Sequence, residues 1–439
     1  MRIVHTSDWH LGHRLYGQNR SEEHQVFLNW LLSQLVEKEA DALIIAGDIF
    51  DTHNPSAEST KLYYNFLVKL HETLPHLQTV VIGGNHDSSQ RLDAPREVLK
   101  ALQVHVVGGL PHINGKNWDD LYVPLKNKVG EVKAWVAAVP FLKASDLPLK
   151  TEEPEVRLIN GVREVYQHAL NRLKSRLKEG QGVILTGHCE MSKGLISQES
   201  ERKLSGYSDQ SLPSDIFTVD QVNPAYVALG HLHLAQSVSN IPSIRYSGAP
   251  LAFSIAERDY PHQIVVVDLE GNMATNIESV FVPQDLKVEM LLIPKKEISP
   301  EDELLPMSFD QIIKELQKLP NLDENTPHWK RPLLQVNIHS EHPDPNIKHK
   351  VIKTLKGKHP RLAKMTITYP KKEKTLEEER PRSFLNDIEP EEVFKSRWMS
   401  RRGIEPPQEQ IDLFVKLRDQ ARAAIQADLA SISSVKKNK

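Results

Sequence analysis

The chain has 439 residues, of which 39% are hydrophobic and 26% are charged, and its formal net charge is −3. These values describe a globular protein that is too long for a single hydrophobic core, so we expect two or three domains. The single cysteine, Cys189, excludes an internal disulfide framework, and no apolar run is long enough for a signal peptide or a membrane span, so we expect a cytoplasmic protein without membrane association.

Charge is distributed unevenly along the sequence. Residues 281–439 carry 29 basic and 25 acidic side chains, whereas the rest of the chain carries 26 and 33. Residues 346–374 contain ten Lys and Arg but only one acidic residue, Glu373. An acidic first part suits metal binding and a basic later segment suits a polyanion, although a run of charge alone is more often a solvated surface.

Short apolar strands alternate with helices in the first part of the chain. The patterns predict strands at 2–6, 42–46 and 78–82, separated by a helix from Ser21 to Lys38 and by a second helix that follows Pro55 and ends at about Thr73. This β-α-β-α-β order predicts a mainly parallel sheet that is covered by helices.

Further strands and one long amphipathic helix follow before residue 283. The helix is predicted from Pro154 to Glu179, and the last three strands are expected to be antiparallel. The predicted strands lie at 104–107, 134–138, 182–186, 225–229, 243–247, 263–268 and 276–282.

Polar residues stand directly after five of the predicted strands. In an open α/β sheet, ligands bind outside the carboxyl ends of the strands, and neighbouring glycines let the backbone turn so that side chains converge. One such histidine is more often structural than a ligand, but five blocks at one sheet edge are hard to explain by packing alone. The blocks are Asp8 with His10, Asp48, Asn85 with His86, His188, and His231 with His233.

Mixed His, Asp and Asn ligation suits Mn²⁺, Fe²⁺ or Zn²⁺ better than Ca²⁺ or Mg²⁺. Seven candidate ligands are too many for one ion, so we expect two ions that share Asp48. Such a pair would hydrolyse a phosphate ester without a covalent intermediate. The remaining ligands divide into Asp8, His10 and His233 for one ion and Asn85, His188 and His231 for the other.

His86 is then left without a ligand role, because adjacent residues cannot easily bind the same ion. We expect it to lie near the leaving group, as a proton donor or as a stabiliser of charge. The Asp51 carboxylate could accept its other ring N–H, and Asp87 is the rival partner unless it caps the turn. His13 and Arg14 follow the first loop, and the sequence does not assign them a role.

These motifs resemble a known family. In the order D-x-H, G-D-x-x-D, G-N-H-D, G-H and G-H-x-H, they resemble the calcineurin-like metallophosphoesterase superfamily over residues 1–282. Finer features resemble the branch formed by SbcD nuclease subunits of bacterial SbcCD complexes and their archaeal and eukaryotic break-repair relatives. They are T-S-D-W-H-L-G (Thr6–Gly12), G-D-I-F-D (Gly47–Asp51), G-N-H-D-S (Gly84–Ser88), A-L-G-H-L-H (Ala228–His233) and Y-S-G-A-P-L-A-F-S (Tyr246–Ser254).

The resemblance implies a fold, a cofactor and an activity. The fold is an α/β metallophosphoesterase β-sandwich flanked by helices, with a small α+β capping domain and a C-terminal helical hairpin. The family's two-metal ligand set falls on the seven residues named above, with His86 as the catalytic histidine that binds no metal. The implied ions are Mn²⁺, and the implied activity is exonuclease and endonuclease cleavage of double-stranded DNA ends and hairpins during DNA repair, recombination and replication.

The family's layout also implies domain boundaries and partners. It gives a nuclease domain at 1–282, a capping domain that binds DNA at 283–370, a linker at 371–389 and a hairpin at 390–430. The hairpin would bind the base of an SbcC-type coiled-coil ATPase, and the chain would form a homodimer within a heterotetramer.

Two sets of side chains in these later domains are candidates for contact with DNA and with the ATPase. The basic set would meet DNA phosphates, and the apolar set would meet the partner unless it packs the hairpin itself. The basic residues are Lys348, Lys350, Lys353, Lys356, Lys358, Arg361 and Lys364, and the apolar residues are Phe394, Trp398, Ile411, Phe414, Val415 and Leu417.

Two other functions remain open at this point. A protein phosphatase or a small-molecule phosphodiesterase could use the same scaffold, but phosphoprotein phosphatases usually carry Arg-Gly where this chain has Thr52 and His53. A basic cap and a terminal hairpin would also be unnecessary for a small substrate. A DNA-end-binding scaffold with an unused metal site is the second alternative, and the full ligand set argues against it.

Overall fold

The chain forms two compact units, which comprise Met1–Tyr369 and Pro370–Lys439 in the computed structural model. The predicted linker at 371–389 and the predicted end of the hairpin beyond 419 lie outside the described residues. Within the described residues, no helix combines the length and the apolar character that a membrane span requires. The structure describes residues 1–111, 118–147, 154–191, 212–218, 222–294, 307–340, 344–369, 390–402 and 405–419.

Strands and helices alternate along most of the described chain. The helices are α1 (Ser21–Glu37), α2 (Ala57–Thr73), α3 (Ser89–Asp93), α4 (Arg96–Lys100), α5 (Pro154–Lys174), α6 (Phe309–Lys318), α7 (Ile347–Leu355) and α8 (Pro390–Arg402). The strands are β1 (Arg2–Thr6), β2 (Arg14–Leu15), β3 (Gln18–Asn19), β4 (Ala42–Ala46), β5 (Gln78–Ile82), β6 (Val104–Val107), β7 (Tyr122–Lys126), β8 (Val132–Ala137), β9 (Gly182–His188), β10 (Tyr226–Gly230), β11 (Gln236–Val238), β12 (Ile241–Tyr246), β13 (Gln263–Glu270), β14 (Met273–Phe281), β15 (Met290–Ile293), β16 (Leu333–His339) and β17 (Arg361–Thr368).

Apart from the short β2–β3 hairpin, the strands before residue 283 form two six-stranded sheets rather than one. The first has the order β14-β13-β1-β4-β5-β6, and the second has the order β11-β12-β10-β9-β8-β7. The α/β sandwich implied by the resemblance is therefore confirmed, whereas the expectation of a single sheet edge is wrong. Apolar strands of both sheets look alike in sequence, so the sequence does not reveal which strands pair.

Parallel pairing dominates both sheets, as expected, with β1, β4, β5 and β6 parallel in the first and β8, β9, β10 and β12 parallel in the second. One predicted direction is wrong. β13 and β14 are antiparallel, whereas β12 pairs in parallel with β10. The short strand β11, which the sequence analysis did not predict, reverses the chain between β10 and β12. Consequently β12 runs in the same direction as β10.

The central strands of the first sheet are buried on both faces. Ile44 and Val80 pack toward the second sheet in the core between the sheets. Their neighbours Leu43, Ile45 and Val81 point to the opposite face, where they pack with residues of α1 and α2. Each fully buried side chain of this size stabilises the fold by about 1.5–3 kcal/mol, so the sheet provides a rigid base for the loops at its end.

The capping region forms a parallel sheet of its own, with its strands and helices in β-α-β-α-β order along the chain. The sheet has the order β15-β16-β17, and α6 and α7 cover one of its faces with Ile312, Leu316 and Val351. Its other face carries Leu333, which packs with Leu15 from the β2–β3 hairpin. This small sheet belongs to the same compact unit as the two large sheets.

Candidate metal centre

The predicted ligand blocks follow strands of both large sheets. The blocks containing Asp8, Asp48 and Asn85 follow β1, β4 and β5 of the first sheet, and the remaining blocks end or follow β9 and β10 of the second. Hydrogen bonds join the two sets. The backbone N–H of His231 donates to Asp8 Oδ1 at 3.0 Å, and the ring atom Nδ1 of His188 lies 2.9 Å from the Ala46 carbonyl oxygen. The carboxyl ends of the two sheets therefore meet at one place.

Two glycines permit this close approach. A Cβ atom at Gly84 would overlap the Asp48 carboxylate and backbone, and a Cβ atom at Gly230 would overlap the Ala46 carbonyl. Only a residue without a side chain allows the ends of β5 and β10 to lie this close to the end of β4.

Four of the predicted ligands adopt a backbone conformation that L-residues rarely use. The φ angles are +54° at Asp8, +43° at His10, +50° at Asp48 and +102° at His231. Each residue in this conformation reduces the stability of the fold by about 1–3 kcal/mol, so contacts with the surrounding structure must maintain it. Hydrogen bonds from Asp8 N to the Gly47 carbonyl and from His10 N to the Asp48 carbonyl, each 3.0 Å long, hold the first loop against the second.

Asp8, His10 and His233 form the first predicted group of ligands. One donor atom from each lies within 4.8 Å of the other two, and all three residues are buried. The His10 Nε2 atom is buried without a hydrogen-bond partner among the described residues, and it lies 3.5 Å from Asp48 Oδ2. A nitrogen in this position fits a metal ligand, since a buried polar atom otherwise requires a partner.

Asn85, His188 and His231 form the second predicted group. The Asn85 Oδ1 atom lies 3.0 Å from both His188 Nε2 and His231 Nδ1. Asp48 stands between the two groups, because its Oδ2 atom lies 3.4 Å from His188 Nε2 and 3.5 Å from His10 Nε2. The structure therefore brings all seven predicted ligands together, with Asp48 in the central position.

The electrostatics of the cluster suit a divalent cation. Burial raises the pKa of the Asp8 carboxyl to about 6 and lowers the pKa of the His231 ring to about 3. Burial also opposes charge on Asp48 and His188, but their mutual attraction holds the Asp48 pKa well below its usual range and raises the His188 pKa to about 9. A divalent ion favours carboxylates and neutral imidazoles together, so the donor set fits such an ion.

His86 lies beside this cluster, and its partner differs from the one expected. Its Nδ1 atom lies 2.8 Å from the backbone carbonyl oxygen of Asp51, whereas the Asp51 carboxylate lies 2.9 Å from His13 Nδ1. The prediction that the Asp51 carboxylate accepts the His86 proton is therefore wrong. A ring nitrogen can bond a backbone oxygen of any residue type, so sequence alone does not reveal this contact.

Asp87 has the structural role that the sequence analysis left open. Its carboxylate accepts hydrogen bonds from the backbone N–H groups of Ile49, Phe50 and Gly84, at distances of 3.1, 3.0 and 2.9 Å. These bonds tie the loop after β5 to the loop after β4. Asp87 therefore holds the two loops together and does not orient His86.

Three residues around the cluster had no role assigned from the sequence. His13 pairs with Asp51, and Glu257 Oε1 lies 3.2 Å from His233 Nδ1. The Phe253 ring packs against His10, with ring centroids 4.7 Å apart. Phe253 lies inside a motif already noted, at Tyr246–Ser254, whereas Glu257 falls three residues beyond it and carries no local signal.

The seven basic residues of the capping region do not share one surface. The side chains of Lys348, Lys350, Lys353 and Lys356 are exposed on or next to α7. By contrast, the Lys358 ammonium donates to the Gln317 and Leu319 carbonyls, each at 2.7 Å, and so caps the C-terminus of α6.

Arg361 and Lys364 lie on the opposite face of the small sheet from α7. The Arg361 guanidinium donates to Gln18 Oε1 at 3.2 Å and to the Trp329 carbonyl at 3.0 Å. The Lys364 ammonium lies 5.2 Å from the centre of the Tyr16 ring. Both side chains therefore face the β2–β3 hairpin.

The aromatic residues of the C-terminal unit contact one another. The Phe394 and Phe414 rings are stacked with centroids 4.5 Å apart, and the Trp398 ring lies 5.8 Å from Phe394. These contacts join α8 to the helical segment at 408–419, which is the packing role left open by the sequence analysis. Leu413 and Leu417 are instead 50% and 56% exposed.

Comparisons with known proteins agree with the architecture and with the centre. Residues 1–235 match the calcineurin-like phosphoesterase family, and residues 303–402 match the family described as type 5 capsule protein repressor C-terminal domain. The chain is 35% identical to the SbcD subunit of the nuclease SbcCD of Rhodobacter capsulatus over 374 residues, which cover 84% of this chain and 88% of that protein. The chain belongs to the SbcD family of nuclease subunits.

Relatives from other bacteria match a shorter part of the chain. The SbcD subunit of the Escherichia coli K12 nuclease is 33% identical over 290 residues, covering 64% of this chain and 68% of that protein. The corresponding Bacillus subtilis protein is 31% identical over 284 residues, covering 63% and 68%. Together with the buried His and Asp cluster, the phosphoesterase family assigns divalent metal ions to this SbcD-family chain.

Proposed function

We propose that this chain is a two-metal DNA nuclease that hydrolyses phosphodiester bonds at double-stranded ends and hairpins. The convergence of seven ligands from two sheets around Asp48 is the observation that carries this proposal. Asp8, His10 and His233 would hold one ion, Asn85, His188 and His231 the other, and Asp48 would bridge them. The imidazole-rich set favours Mn²⁺ over Mg²⁺, because Mg²⁺ prefers oxygen ligands.

When bound, the ions would supply Lewis acidity to the phosphate and lower the pKa of a water molecule held between them. The protein's part is to hold this geometry rigidly. Asp87 fixes the loops that carry Asp48 and Asn85 relative to each other. The Asp8 and Asp48 carboxylates are buried. Their burial excludes bulk water, and this strengthens their attraction for cations.

His86 would donate a proton to the leaving group or stabilise its charge. The Asp51 carbonyl can only accept a hydrogen bond, so it assigns a proton to His86 Nδ1 and makes Nε2 the nitrogen that exchanges a proton with DNA. The His86 ring centroid lies 4.8 Å from that of His10, so the ring stands at the edge of the metal cluster. From this position the ring would contact an oxygen of a phosphate bound at the centre.

Contacts outside the centre would provide affinity for DNA and for the partner. The exposed lysines of α7 would bind the phosphate backbone without sequence preference. In the C-terminal unit, the exposed Leu413 and Leu417 lie one helical turn apart and would contact an SbcC-type ATPase, while the stacked aromatic rings pack the hairpin. The chain would act as a homodimer within that complex, in the cytoplasm.

The experiment is digestion of linear and hairpin duplex DNA with Mn²⁺, with the SbcC-type partner present. We expect the wild-type chain to cleave both substrates, and Asp48→Ala to reduce cleavage to background because both ions lose a ligand. Lys128→Ala, in an exposed turn far from the centre in sequence, serves as the control and should cleave like wild type. Absence of cleavage by wild type, combined with turnover of phosphopeptides, would assign the site to a phosphatase instead.

A further inference from the structure

Glu257 is a buried carboxylate that none of the steps above uses. It lies in a short turn at Ile255–Glu257, and its accessible surface is 0% of that of an exposed residue. A buried charge without partners is strongly destabilising, so the groups that surround Glu257 indicate its role. Both of its oxygen atoms contact residues that border the metal centre.

The first oxygen faces a predicted ligand. Glu257 Oε1 lies 3.2 Å from His233 Nδ1. An ionised carboxylate can only accept a hydrogen bond, so this contact assigns the proton of the neutral ring to Nδ1. In that tautomer Nε2 is the nitrogen that can coordinate an ion, and the negative charge behind the ring makes it a stronger ligand.

The second oxygen holds the backbone of an aromatic residue on the same side of the centre. Glu257 Oε2 accepts a hydrogen bond from the Phe253 backbone N–H at 2.8 Å. The Phe253 ring centroid lies 4.7 Å from that of His10 and 5.1 Å from that of His233. One carboxylate therefore contacts one predicted ligand directly and also holds the backbone of the residue whose ring packs against two predicted ligands.

We propose that Glu257 is a positioning residue for the ion held by Asp8, His10 and His233, and that it acts through His233. The inference rests on the proposed two-metal function. Glu257 touches neither ion nor DNA in this account. At the other ion position, the His188 ring is oriented by a different group, because its Nδ1 atom faces the Ala46 carbonyl oxygen.

Calorimetric titration of the metal-free full chain with Mn²⁺ tests this inference without relying on activity. We expect wild type to bind two ions. In Glu257→Gln, the affinity for one Mn²⁺ ion should fall about 10–100-fold, which is typical when a group that hydrogen-bonds a metal ligand is removed. The affinity for the second ion should change by less than about twofold. Asp93→Asn, which removes a carboxylate that binds Gly108 N and Arg96, is the matched structural control and should retain both affinities.

A double-mutant cycle separates action through His233 from general damage. In a His233→Ala background, Glu257→Gln should cause no further loss of Mn²⁺ affinity, because the ring it positions is gone. Additive losses, equal weakening of both binding events, or two unchanged events would each overturn the inference. If Glu257→Gln does not fold, Glu257→Asp retains the charge but withdraws it from the ring, and the same selective loss is expected.

The result for wild type distinguishes failure of the proposed function from failure of the proposed role of Glu257. Wild type that binds no Mn²⁺ would contradict the proposed function itself. Wild type that binds two ions, together with a Glu257→Gln variant that binds them equally well, would contradict only the role of Glu257.

Discussion

The His86 ring is held by the backbone oxygen of Asp51, so its orientation does not depend on the Asp51 carboxylate. The Asp51 carbonyl lies 2.8 Å from His86 Nδ1, and the Asp51 carboxylate is directed to His13. The structure also places a nitrogen of His86 within 4.8 Å of donor atoms from His10 and Asp48. A proton-transfer role and a ligand role for His86 therefore make opposite predictions.

Replacing His86 with alanine distinguishes these roles. If His86 transfers a proton, His86→Ala should reduce DNA cleavage by about 10²–10⁴-fold and leave the affinity for Mn²⁺ unchanged, as measured by digestion and by calorimetry. Asp51→Asn retains the backbone carbonyl and should therefore reduce cleavage much less. Loss of Mn²⁺ binding in His86→Ala would show instead that His86 is a ligand.

The turn after β5 shows what a single element contributes to the centre. Its Gly84 lies against Asp48 so closely that no Cβ atom fits. The sequence predicted this strand at its observed bounds and predicted that its glycines bring Asn85 and His86 to the site. It did not reveal that the approach is made against Asp48, because that contact joins loops of two different strands.

Gly84→Ala tests whether this approach maintains the centre. The added methyl group should push the β4 and β5 loops apart, lowering the free energy of unfolding by about 1–3 kcal/mol and weakening Mn²⁺ binding. Thermal unfolding and Mn²⁺ titration measure the two effects. Gly130→Ala, at a turn with open space around the glycine, is the control and should affect stability alone. Unchanged Mn²⁺ affinity in Gly84→Ala would contradict this interpretation.

The centre exists because two sheets end at the same place. The strands that carry the ligand blocks, and the polar residues that end or follow them, could be predicted from the sequence, since they depend on local patterns such as G-D-I-F-D at Gly47–Asp51. Pairing of the strands into two sheets could not, because it depends on contacts between distant segments. The same reason explains the basic residues: seven that are close in sequence divide between α7, the end of α6 and the β2–β3 hairpin.

The positions of the basic residues predict that the exposed lysines of α7 contact DNA, whereas Lys358 has a structural role. Lys348→Ala and Lys353→Ala should each weaken DNA binding and reduce the slope of log affinity against log salt by about one, because each removes a phosphate contact. Lys358→Ala should instead lower the melting temperature, since its ammonium caps α6. Fluorescence anisotropy at several salt concentrations and thermal unfolding measure these effects. Equal loss of DNA affinity in all three variants would contradict the division.

The proposed nuclease centre requires two ions that share Asp48 where the two sheets meet. Anomalous diffraction from crystals of the full chain containing Mn²⁺ tests this most directly. We predict two peaks about 3.5–4 Å apart on either side of the Asp48 carboxylate, one near Asp8, His10 and His233 and the other near Asn85, His188 and His231. A single peak, or peaks away from Asp48, would contradict it.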